Sequence, residues 1–226
     1  MKAKRVTLFA GHYGSGKTNI AVNYAFFLRK NDLPVVIADL DIVNPYFRTK
    51  DSEADFKEKG IDLVCSAFTN TNLDIPALPA EMYRVVQDKS KYAIIDIGGD
   101  DQGAVALGRY VPYILEENNY DMLFVANCYR PLTQSAEDAF TVMQEIEAAC
   151  GIKFTGIVNN SNLGNDTTAD DVINSIDYIN RLSDISGLPI VLTTVNEKLF
   201  SQLSVRVENL FPLCLQKKYF DINGGI

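Results

Sequence analysis

Gly11-His12-Tyr13-Gly14-Ser15-Gly16-Lys17-Thr18 has the form G-x-x-x-x-G-K-[ST], a phosphate-binding loop. An apolar run, Val6-Thr7-Leu8-Phe9-Ala10, precedes it, and a helical pattern over 19–28 follows. Strand, glycine loop and helix is the context the motif needs. The glycines let the backbone wrap a phosphate with its N–H groups inward, and the helix N-terminus adds the positive end of its dipole. On this reading Gly11, His12, Tyr13, Gly14, Ser15, Gly16, Lys17, Thr18 and Asn19 line a nucleotide's phosphates. Lys17 reaches the β- and γ-phosphates and Thr18 ligates Mg²⁺. The plainer alternative is a glycine turn that caps a helix.

Working outward, short apolar runs alternate with helical patterns. The runs at 5–10, 34–38, 61–65, 92–97, 122–126, 154–158 and 189–193 predict strands, several apolar on both faces as buried parallel strands are. Helices are predicted over 17–30, 80–89, 104–117, 133–149, 169–183 and 197–203. The helix over 133–149 opens on Thr133-Gln134-Ser135-Ala136-Glu137, an N-cap pattern, and Gly151 stands where a C-cap belongs. This alternation predicts a three-layer, doubly wound α/β domain with a mostly parallel sheet, residues 1–226 forming one P-loop domain. Residues 39–60 are expected to be a long, weakly patterned loop. The tail from 204 onward is expected to pack on the domain, a membrane-targeting amphipathic helix being the alternative that Pro212 interrupts.

Ligands in such sheets bind at the carboxyl ends of the strands, and the polar residues collect there. The second strand runs into Asp39-Leu40-Asp41, two carboxylates two residues apart and so pointing the same way. One can support Mg²⁺ and the other orient a water against the γ-phosphate; a solvated turn is the alternative. The fourth strand ends in Asp96-Ile97-Gly98-Gly99-Asp100-Asp101. An Asp at the tip of an apolar strand is the Walker-B arrangement, binding Mg²⁺ through water. Gly98 and Gly99 permit close approach to a γ-phosphate and a hinge. Asp100 and Asp101 are expected to face solvent or a partner. After the sixth strand come Asn159-Asn160-Ser161-Asn162, of which Asn159 and Asn160 are candidates to read adenine. A guanine-reading loop carries Asn-Lys-x-Asp; here Asn162 stands at the Asp position, which favours ATP over GTP.

Composition narrows the partners. The chain has 226 residues, 47% of them hydrophobic, and a net charge of −8. With no basic stripe, nucleic acid held by counterion release is excluded. The four cysteines, Cys65, Cys128, Cys150 and Cys214, form no C-x-x-C, and His12 is the only histidine. A zinc or iron–sulfur site within one chain is therefore not expected. No apolar run reaches the roughly 18 residues of a membrane span, and no long apolar leader precedes the glycine loop, so a cytoplasmic protein without a stable membrane anchor is expected.

Taken together, the glycine loop, Asp39 and Asp41, Asp96-Ile97-Gly98-Gly99 and the late Asn159 resemble the MinD/ParA/CobQ branch of P-loop ATPases. That class also includes nitrogenase iron protein and the signal-recognition GTPases. The resemblance implies ATP with Mg²⁺ and slow hydrolysis coupled to conformational switching. By it, Lys17 and Asp41 are catalytic, Thr18, Asp39 and Asp96 hold Mg²⁺, and Asn159 reads the base. It also implies a sandwich dimer in which a signature lysine after the first glycine crosses to the partner's nucleotide. His12 occupies that position here, and a neutral imidazole cannot replace an obligate cation. His12 can contact phosphate, donate weakly, or pack. Arg48 and Arg130 are unassigned cations near strand ends: an arginine finger, a site for a second anion, or structural partners of carboxylates.

Four functions compete. The leading one is an ATPase switch acting on a protein partner, with 39–60 and 96–103 moving. The second is an ATP-dependent ligase acting on a small carboxylate acceptor, with Asn44-Pro45-Tyr46-Phe47-Arg48 lining its pocket. A metal-cluster maturation ATPase would pair Cys128 across a homodimer. A non-catalytic binding module is the fourth.

Overall fold

The computed structural model describes residues 3–40, 49–65, 80–99 and 101–214. Eight strands form one sheet: β1 (Val6–Ala10), β2 (Val35–Leu40), β3 (Asp62–Cys65), β4 (Tyr92–Ile97), β5 (Tyr120–Ala126), β6 (Gly156–Asn159), β7 (Ile190–Asn196) and β8 (Leu210–Leu213). Their order is β3-β2-β4-β1-β5-β6-β7-β8, and every pairing is parallel. The helices are α1 (Lys17–Lys30), α2 (Glu53–Lys59), α3 (Ala80–Gln87), α4 (Asp101–Gly108), α5 (Val111–Glu117), α6 (Ala136–Cys150), α7 (Ala169–Asn174), α8 (Ile176–Ser186) and α9 (Glu197–Leu203). This is the expected doubly wound α/β architecture.

The period-2 alternation of side chains sorts the central strands between two cores. Val6, Leu8 and Ala10 of β1, with Ala93, Ile95 and Ile97 of β4, face α4, α5, α6 and α8. Phe9, Ile37, Ile94, Leu123 and Val125 face the opposite way, onto Ile20, Ala21, Tyr24, Ala25 and Leu28 of α1. Asp96 is in phase with Ile94 and Asp39 with Ile37. Both acids therefore stand on the α1 face of the sheet.

Several elements differ from expectation, each for a local reason. The segment expected as a loop over 39–60 contains a 3-10 turn, Thr49–Ser52, and α2, anchored by the buried Phe56. Glu53 and Asp55 open α2, Lys57 and Lys59 close it, and Gly60 caps it at φ 66°. The helix expected over 104–117 is two helices, with Pro112 in the first turn of α5, where proline is tolerated. The helix expected over 169–183 breaks at Ser175, whose Oγ donates to the Val172 carbonyl. The described part of the tail, up to 214, contributes β8. Phe211 and Leu213 are buried while Pro212 points outward. Proline is tolerated there because, among the described residues, β8 is an edge strand paired only with β7. At α6 the cap falls on Ser135, whose Oγ accepts from Asp138 N at 3.1 Å, and Gly151 ends the helix at φ 72°.

Candidate functional site

The glycine loop connects β1, central in the sheet, to α1. Gly16 caps α1 in the left-handed region at φ 92°, and no side chain caps the helix. The first turn of α1 carries no acid. Its leading N–H groups are thus presented at the end of the loop, as an anion site requires. Gly16 is required twice over: a Cβ there would be strained and would lie 2.3 Å from Asn160 Nδ2. Lys17 is buried and arches back so that Nζ donates to the His12 carbonyl at 3.2 Å. Ser15 N donates to the same carbonyl at 3.1 Å. His12 Nδ1 donates to the Tyr13 carbonyl at 2.9 Å, so a neutral imidazole has no N–H left for a phosphate.

Asp39 and Asp96 are direct register partners across β2 and β4. Asp96 is fully buried, and Asp39 is 8% exposed. Two neighbouring carboxylates are the kind of oxygen ligands a hard divalent cation takes. Thr18, on the first turn of α1, the helix that packs on both β2 and β4, is also buried. This donor set of two carboxylates and a hydroxyl fits Mg²⁺, which takes few protein ligands and completes its shell with water and phosphate. Thr49 joins the pair: its N–H donates to Asp39 Oδ2 at 3.2 Å and its hydroxyl to Asp96 Oδ2 at 3.3 Å. Nothing in the local sequence marks Thr49, and it was reachable only through the fold. Asp41 lies outside the described residues, as do Arg48 and Asp100.

Gly99 lies against the glycine loop. A Cβ on it would come within 2.6 Å of Tyr13 N and 3.0 Å of Lys17 Nζ. Gly98 is buried, and a Cβ on Gly103 of α4 would meet its backbone at 2.8 Å. The Gly98–Gly99 pair thus couples the end of β4 to both the loop and α4.

On the other side of β1, the asparagines hold one another. Asn159 Nδ2 donates to Ser175 Oγ at 2.9 Å and its Oδ1 accepts from Ser161 N at 3.1 Å. Asn160 Nδ2 donates to the Ser15 carbonyl at 2.6 Å, and its Oδ1 accepts from Thr194 Oγ1 at 2.5 Å. Asn162 donates to the Asn160 carbonyl, and Asn127 bonds Tyr129 N and the Asn162 backbone. The amides expected to face a base thus tie the loop after β6 to the glycine loop, β7 and α8. Arg130 makes no ion pair among the described residues; its Nε donates to the Gly14 carbonyl at 2.9 Å.

Among the described residues no group of three His, Cys, Asp or Glu could hold a metal without other ligands. Cys150 is buried, and burial pushes its thiol up to about 12. Cys128 is half-buried. No helix of the described residues is long and apolar enough to cross a membrane.

The architecture is a doubly wound parallel sheet with a glycine loop between β1 and α1. Among solved structures the chain is similar to chloroplast FtsY from Physcomitrella patens, at 17% identity and a TM-score of 0.59 over 87% of this chain and 60% of that one. It is similar to the cell division protein FtsY from Thermotoga maritima, at 16% identity and a TM-score of 0.59 over 85% and 62%. For the signal recognition particle receptor FtsY from Elizabethkingia anophelis the values are 21% and 0.55, over 88% and 61%. The chain thus spans about three-fifths of the length of these proteins. At such identity the likeness is one of fold. No protein-family model and no curated protein matches the chain.

Proposed function

We propose that the chain is a Mg²⁺-dependent nucleoside triphosphatase, specific for ATP, that switches a protein partner by slow hydrolysis. The observation that carries this reading is the convergence of an uncapped α1 N-terminus, the buried Lys17, and the register-paired Asp39 and Asp96 on one face of the sheet. In this proposal the loop amides of Gly14 to Thr18 cradle the β-phosphate, and Lys17 leaves the His12 carbonyl to reach the terminal phosphates. Thr18, Asp39 and Asp96 hold Mg²⁺, which when bound neutralises charge on the phosphates. Asp41 orients the attacking water.

Thr49 supports the switching part. It ties both metal-side carboxylates to the 3-10 turn that leads into α2. Any redirection of Asp39 and Asp96 toward a cation competes with these bonds and so acts on that segment. Preference for ATP rests on the loop after β6, Asn160-Ser161-Asn162-Leu163, which carries no carboxylate to accept from guanine N1–H and N2. The single-domain organisation of 1–226 is part of the same proposal.

The test is phosphate release with Mg²⁺-ATP or Mg²⁺-GTP, with Lys17→Ala as the blank. Slow release from ATP, stopped by chelation and absent in Lys17→Ala, is expected. Faster turnover of GTP would overturn the base assignment, and release that appears only with an added carboxylate would replace the switch by a ligase.

A further inference from the structure

We infer that Arg130 is a cis-acting cation of the phosphate site, contacting the terminal phosphates of the nucleotide from the flank of Gly14. This rests on the nucleotide reading above. In place of the carboxylate partner that a structural arginine would have, the Arg130 Nε donates to the Gly14 carbonyl at 2.9 Å, on the glycine loop itself. A guanidinium has five N–H donors, and one of them makes the only Arg130 side-chain bond among the described residues. Its terminal amines remain available beside a loop built to hold anions, in a chain of net charge −8.

The mount of Arg130 is rigid. Its N–H donates to the Asn127 carbonyl at 3.2 Å, and its own carbonyl accepts from Thr133 N at 3.0 Å. Thr133 Oγ1 donates to the Asn127 carbonyl at 2.7 Å, and Cys128 N donates to Ser161 Oγ at 3.2 Å. Tyr129 OH fastens the same loop to the Asp171 carbonyl at 2.8 Å. Gly14 completes the seat: with φ +75° it favours glycine, and a Cβ would point at the guanidinium, 3.7 Å from Nε. A pre-positioned arginine stabilises charge on a transferring phosphoryl group without reorganisation.

The neighbouring residue sharpens the point. His12 Nδ1 is engaged by the Tyr13 carbonyl at 2.9 Å, within the glycine loop itself. Arg130 supplies a cation from the same chain. Hydrolysis is then complete within one protomer, and the rate per molecule does not depend on protein concentration.

The experiment compares wild type, Arg130→Ala, Arg130→Gln and Arg130→Lys in single-turnover hydrolysis of Mg²⁺-ATP, with equilibrium binding of ATP and ADP. Arg130→Gln keeps a donor for the Gly14 carbonyl without the charge. Expected are a loss of about 100-fold in rate for both Ala and Gln, ADP affinity within about threefold of wild type, and partial rescue of Arg130→Ala by millimolar guanidinium. Equal losses of ATP and ADP affinity, near-wild-type rates in Arg130→Gln, or a wild-type rate that rises with protein concentration would each overturn the inference. If wild type binds no nucleotide, the underlying reading falls first and takes this one with it.

Discussion

The two halves of the strand-end face use polar residues in opposite ways. On the β2–β4 side, Asp39 and Asp96 sit as register partners, like charges side by side and largely buried. On the β5–β7 side, Asn127, Asn159, Asn160 and Asn162 satisfy one another and their neighbours, donor to acceptor. The first arrangement sets carboxylate oxygens side by side, as a divalent cation needs; the second satisfies its amides among the described residues. Under the proposed function, the contrast separates a half that binds from a half that holds the binding loop in place.

The strongest way to break this comparison is Asp96→Asn, which gives the acidic half the chemistry of the amide half. Mg²⁺-dependent hydrolysis should fall by about 100-fold or more. The rise in melting temperature that Mg²⁺-ATP produces in wild type should shrink or vanish. A variant that keeps both would show that the carboxylate pair is structural.

Next in size is the pair Asn160→Ala and Asn159→Ala. Both leave buried partners unsatisfied, at about 1–3 kcal/mol each. Only Asn160 reaches the glycine loop, through the Ser15 carbonyl, so only its loss should also weaken nucleotide binding, by about tenfold. Asn159 bonds Ser175 and Ser161, and its loss should leave the ATP-to-GTP preference unchanged. A collapse of that preference in Asn159→Ala would assign Asn159 the base-reading role expected from the sequence.

The same contrast bears on what the sequence disclosed. The strands around the loop, α1 and α9 were legible because local apolar runs alternating with helical patterns need no distant partner to be recognised. The carboxylates stood out by position, since packing alone gives no reason for an acid at the tip of an apolar strand. β8 was not legible, because a four-residue edge strand with Pro212 inside it shows no pattern until β7 is beside it. α2 left a faint trace in Glu53, Asp55, Lys57, Lys59 and Gly60, but its single buried anchor, Phe56, makes no periodicity. Asn160 and Arg130 fall near strand ends by sequence alone, yet sequence position names the neighbourhood and not the bonding partner. Their bonds, to Ser15 and Gly14, run 145 and 116 residues back along the chain.

The smallest effect sharpens the self-sufficiency of the amide half. α7 opens with a complete capping box. Asp171 accepts from Thr168 N at 2.8 Å and from Thr168 Oγ1 at 2.6 Å, and Thr168 Oγ1 accepts from Asp171 N at 3.2 Å. The Thr168 hydrogen bonds hold the Asp171 carboxyl below its usual range. A carboxylate depressed in the folded state stabilises above its unfolded pKa, near about 3.9, and that contribution is lost as pH falls through the lower folded value. Asp171→Asn should therefore melt about 2 °C below wild type at neutral pH, with the gap closing as acid protonates the wild-type carboxyl. Because no ligand takes part, the gap should be the same with and without Mg²⁺-ATP, whereas the Asp96→Asn difference should depend on it. A gap at α7 that changed with nucleotide would mean that the two halves communicate through the Tyr129–Asp171 bond, and that the amide half is part of the switch.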